Sequence, residues 1–81
     1  MNNIHEFDPD LQAMYSGAHQ YLAAAVARQW IADHPEKIVG SVQHIKSDFE
    51  IDTQRYLRLS RFRELLVEAG YEIDASDRPR K

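Results

Sequence analysis

The sequence predicts an all-α fold, a small bundle of three to four helices with a flexible C-terminal tail. Apolar residues recur at three- and four-residue steps, and Pro and Gly punctuate the chain at helix-length intervals. With no cysteine to form a disulfide or a thiolate metal site, the core must come from packing alone. A chain of 81 residues holds material for one core. The expected division is an N-terminal extension over 1–7, a single helical domain over 8–73 and a disordered tail over 74–81.

Asp8-Pro9-Asp10 reads as a helix start, because Asp side chains cap free amides, Pro fits the first helical position and acids suit the positive helix end. From there Leu11, Met14, Tyr15, Ala18, Leu22, Ala25, Val26 and Trp30 line one face up to Ile31. Ser16-Gly17 is the weak point, so this stretch divides into two helical pieces, the second from Ala18. Asp33-His34-Pro35 ends it, since the residue before proline leaves the helical region and proline lacks an amide donor.

Ile38, Val39, Val42, Ile45 and Phe49 predict the next helix over 36–49, with Gly40 on its far side and Asp52 as the cap of the helix after it. Leu59, Phe62, Leu65, Leu66 and Ala69 then mark a helix over 53–69 that ends at Gly70. Tyr71-Glu72-Ile73 reads as coil or a short strand without a pairing partner, and 74–81 has no apolar anchor.

Charge is unevenly distributed within a formal net charge of −3. Residues 1–33 carry Glu6, Asp8, Asp10 and Asp33 against Arg28, whereas residues 53–63 carry Arg55, Arg58, Arg61 and Arg63 and no acid. Glu64 and Glu68 can neutralise only part of that set along the helix, and the excess points to an anionic partner. The start of the chain lacks a basic, then apolar, leader, and the longest apolar run, Leu22–Ala27, is far too short to span a bilayer. A cytoplasmic protein is expected.

Residues 45–59, Ile-Lys-Ser-Asp-Phe-Glu-Ile-Asp-Thr-Gln-Arg-Tyr-Leu-Arg-Leu, resemble the helix-turn-helix of bacterial and phage DNA-binding regulators. In that family two apolar residues of a first helix face inward, a buried apolar residue follows the turn, a polar residue caps the second helix and two apolar residues lock it down. Ile45 and Phe49, Ile51, Asp52, and Tyr56 with Leu59 take those roles in order. Lys46 and Glu50 stand where the family has a small residue and the turn glycine. The resemblance implies a transcriptional regulator that places its second helix in the major groove of double-stranded DNA. Thr53, Gln54, Leu57, Arg58 and Arg61 would face outward, and Arg55 or Arg63 would hold phosphates.

The rival expectation is a small phage or mobile-element adaptor or inhibitor that binds a host protein through Tyr15, Tyr21, Trp30 and Leu57. A homodimer is expected under either, because the Ala23-Ala24-Ala25 segment and its aromatic neighbours suit close helix approach. No enzyme activity, cofactor or metal is expected. His5, His19, His34 and His44 are far apart, Ser16, Ser41, Ser47 and Ser60 lie in no strained elbow, and Gly17, Gly40 and Gly70 form no phosphate-cradling loop.

Overall fold

The computed structural model describes residues 17–81, so the expected helix start at Asp8-Pro9 and the apolar positions before Gly17 lie outside the described residues. Three helices, α1 (Gly17–Asp33), α2 (Val42–Thr53) and α3 (Leu59–Glu68), are followed by an antiparallel pair, β1 (Glu72–Ile73) and β2 (Pro79–Arg80). Each helix packs on the other two, and β1 packs on α3.

Helix α1 turns Ala23, Ala24, Ala27, Trp30 and Ile31 inward. Ala23, Ala24 and Ala27 are its small inward residues, and Trp30 is the large one. The Trp30 and Phe49 rings meet edge-on with centroids 5.7 Å apart, and Phe49 lies 5.5 Å from Phe62, so one aromatic chain joins all three helices. Val42, Ile45, Leu57, Leu65 and Leu66 complete the buried centre.

The expected break at Pro35 is present: Asp33 is the last residue of α1, and a 3₁₀ turn covers Pro35–Lys37. The expected helix over 36–49 instead begins at Val42. Gly40 adopts a φ of +89°, which a right-handed helix cannot accommodate, and Ser41 caps α2 by accepting a hydrogen bond from the His44 amide at 3.2 Å. At its other end α2 runs on through Thr53, and Gln54, in the left-handed region at φ 57°, closes it.

Asp52 is therefore no cap of the following helix. It belongs to the last turn of α2, where its carboxylate accepts the Trp30 indole N–H at 3.1 Å and the Lys37 ammonium at 2.6 Å. The expected helix over 53–69 loses its first six residues to α2 and to the connection after it, and begins at Leu59. Its predicted end is present. Gly70, at φ +101°, donates to Val67 O at 3.0 Å and Tyr71 donates to Leu66 O at 3.1 Å, the paired bonds of a Schellman motif.

Residues 74–81, expected as a tail, carry the second strand. Glu72 pairs with Arg80 and Ile73 with Pro79, and the turn between them is closed by Asp74, whose side chain accepts from the amides of Ser76 and Arg78. The turn is tied to the helices at Asp77, which accepts the Val42 amide at 2.8 Å through its carbonyl and pairs with Arg63 through its carboxylate. Polar anchoring replaces the apolar anchor that the segment lacks.

Candidate nucleic-acid interface

The connection between α2 and α3, residues 54–58, is held by side chains reaching in from both neighbours. Glu50 accepts the Leu57 amide at 3.2 Å and the Lys46 ammonium at 2.7 Å. The Gln20 carboxamide of α1 donates to Tyr56 O at 2.7 Å and accepts the Arg58 amide at 3.1 Å. Thr53 Oγ1 donates to Phe49 O and accepts the Arg55 amide. Backbone groups that no helix or strand satisfies are thus paired one by one. Glu50, standing where the family has its turn glycine, is a structural acceptor.

This arrangement shifts the buried residue of the turn from Ile51 to Leu57. Ile51 is 68% exposed and Leu57 is 0% exposed, the reverse of the expectation. Ile45 and Phe49 are buried as the resemblance implies, whereas Tyr56 and Leu59 are only half-buried. Leu57 is thereby removed from both the DNA-facing set and the protein-contact set.

The remaining expected DNA contacts fall into two groups. Thr53 and Gln54 terminate α2, with Gln54 Nε2 donating to Ile51 O at 3.1 Å, so neither stands on the second helix. Arg55 lies in the connection, Arg58 is the exposed N-cap residue of α3, and Arg61 lies in the first turn of α3. Arg61 pairs with Glu64 at 2.8 Å and lies 3.9 Å from Glu68, while Arg63 pairs with Asp77 of the hairpin turn. Arg55 makes no salt bridge with the described residues.

Sequence reasoning did not assign Gln43 and Lys46 to this surface. Together with Arg58, Leu57 and Leu59 they line a shallow groove of about 380 Å³ between α2 and the start of α3. Arg78, Arg80 and Lys81, which fall in the expected tail, were not assigned either, and they stand apart from this groove on the C-terminal hairpin. Arg78 and Arg80 are exposed on the hairpin, and Lys81 lies 4.7 Å above the Tyr71 ring. The run Arg-Pro-Arg-Lys was the available signal.

Of the expected protein contacts, Tyr15 lies outside the described residues, Trp30 is buried, and Tyr21 is 77% exposed. A second groove, about 520 Å³, separates the C-terminal ends of α1 and α3. Ile31, Pro35, Leu65 and Tyr71 are among its walls, and the Arg28–Glu68 salt bridge lies at it. The Arg28 guanidinium holds the Glu68 carboxyl below its ordinary pKa. No group of three potential metal ligands occurs among the described residues, and no described helix is long and apolar enough to cross a membrane.

The chain matches no family model, no curated protein and no solved structure.

Proposed function

We propose that the protein binds double-stranded DNA as a small non-enzymatic transcriptional regulator, using the N-terminal end of α3 and the C-terminal hairpin together. What supports this reading is the way α3 is held. Phe62, Leu65 and Leu66 lock one side into the core, while Arg55, Arg58, Ser60 and Arg61 gather at the start of the helix. A helix fixed in this way can enter a major groove end-first, with its arginines reaching guanine edges or phosphates. The hairpin adds Arg78 and Arg80, and Asp77 fixes its turn against the start of α2 and the flank of α3. Backbone contacts from such an arm set register on the duplex.

The test is fluorescence anisotropy of the full chain with mixed-sequence duplexes between about 50 and 200 mM salt. Affinity is expected to fall steeply with salt. The Arg55→Ala/Arg58→Ala double variant should lose most of the binding while keeping its helical circular dichroism. Removing Arg78 and Arg80 should lower the salt slope by about 2. Undiminished binding by the folded Arg55→Ala/Arg58→Ala variant, or no binding at the lowest salt, overturns the reading.

A further inference from the structure

The face of α1 turned away from the core carries Ala18, Leu22, Ala25, Gln29 and Ala32, all exposed. They are spaced in alternating steps of four and three residues, the 3.5-residue repeat by which helices pack along a continuous seam. The buried positions of the same helix, Ala23, Ala24, Ala27, Trp30 and Ile31, fall on the other side. Helix α1 is therefore apolar on both sides while the domain covers only one of them, and a helix apolar all round is ordinarily buried all round. Tyr21 at 77% and Leu22 at 53% exposure stand out from the uncovered side. The spacing continues in the sequence at Tyr15 and Leu11.

We infer that this face is covered by α1 of a second copy of the chain. In a parallel pair Leu22 meets Leu22 of the other copy, and the alanines on either side of it let the two helices approach closely. Its flanking charges are complementary as well. Arg28 and Asp33 border the stripe five residues apart, the separation that sets opposite charges side by side across two parallel helices. Gln29 is the single polar residue of the stripe, and a lone polar residue in such a seam fixes the register of the pair. Within one copy Gln29 bonds Asp33 at 2.9 Å and Arg28 bonds Glu68 of α3 at 3.1 Å, contacts that association would exchange for bonds across the pair. The inference does not rest on DNA binding.

Sedimentation equilibrium of the full chain from about 1 to 100 μM tests it. The expected mass is twice the 9.4 kDa of one chain, with Leu22→Glu at the single-chain mass and unchanged in helical circular dichroism. Association should weaken at least tenfold in that variant. A second measurement does not depend on a charged residue being tolerated. The chain has no cysteine, so the Leu22→Cys/Ala25→Cys variant, oxidised without reductant, should run as a covalent dimer, whereas Ser47→Cys on exposed α2 should not. Single-chain mass of the unaltered protein throughout that range overturns the inference, whether the stripe is bare, covered by residues 1–16 or meant for another protein. So does a dimer that survives Leu22→Glu, or equal cross-linking through Ser47→Cys.

Discussion

The indole N–H of Trp30 donates to the carboxylate of Asp52 at 3.1 Å, joining the end of α1 to the last turn of α2. The Lys37 ammonium, bonded to the same oxygen, and then the Trp30 N–H hold the Asp52 carboxyl below its ordinary pKa. Asp52 in turn raises the pKa of Lys37. A depressed folded-state value means that the stabilisation is complete above the unfolded aspartate pKa of about 3.9 and disappears as pH falls through the folded value. Trp30 is the only tryptophan, so its emission reports this contact directly. A shift in emission with a midpoint below about 3.9 is expected on acidification. Asp52→Asn should abolish that step and leave only the change that accompanies global unfolding.

Leu57 and Ile51 test the register of the turn. Leu57→Ala removes a fully buried side chain and should cost about 2–5 kcal/mol in urea unfolding. Ile51→Ala, at a residue 68% exposed, should change stability by less than about 0.5 kcal/mol. Equal losses at the two positions would contradict the observed connection.

Glu50 supplies an acceptor that no helix provides for the Leu57 amide. Glu50→Ala should destabilise the fold by about 1–3 kcal/mol, the range for a desolvated donor left unpaired. Glu50→Gln keeps an acceptor oxygen in reach and should recover much of that loss. Comparison of the two by denaturant midpoint separates the hydrogen bond from the Lys46 ion pair.

Gly70 and Gly17 should respond oppositely to alanine. The nearest atom to a Cβ at Gly70 is the flexible end of Lys81 at 3.7 Å, so space is not the obstacle. Its φ of +101° is, and Gly70→Ala should cost about 1–2 kcal/mol. Gly17, in α1 with nothing within 4 Å of a Cβ, should gain up to about 1 kcal/mol from the same change. Thermal melts of the two variants should move in opposite directions.

Helix existence was legible where local chemistry and packing agree. Pro35 marks its boundary by backbone restriction and Gly70 by its freedom to take positive φ. The inward stripe of α3 follows from spacing, whereas in α1 the spaced set Ala18, Leu22 and Ala25 is exposed and Ala23, Ala24 and Ala27 join Trp30 in the core. Gly40-Ser41 also carried a boundary signal, because a glycine free to take positive φ precedes a residue suited to cap Val42–Thr53. The change from α2 to α3 was not legible. Whether Ile51-Asp52-Thr53 ends one helix or begins the next depends on Trp30 and Lys37 reaching Asp52 and on Gln20 bonding Tyr56 and Arg58, all contacts distant in sequence. The same dependence displaced the expected DNA-facing set. Arg61 keeps its place on the second helix, Arg58 becomes its N-cap residue, Leu57 moves into the core, and Thr53 and Gln54 stay with the first.

The hairpin has both a structural and a proposed binding role, and these can be separated. Ending the chain after Asp74 deprives Val42 of its Asp77 acceptor, Arg63 of its ion-pair partner and β1 of its neighbour, while uncovering Tyr71. A loss of about 1–3 kcal/mol is expected from the unpaired amide together with the weakened packing around it. Arg78→Ala/Arg80→Ala leaves Asp77 and the Asp74 turn bonds in place, because the turn uses the backbone of residue 78 rather than its side chain. That variant should melt close to the unaltered protein, within about 0.5 kcal/mol, as exposed surface changes generally do. If it unfolds as readily as the truncated chain, the arginine side chains are part of the fold. If its melt is unchanged while its salt-dependent DNA affinity falls, their contribution is to the bound duplex.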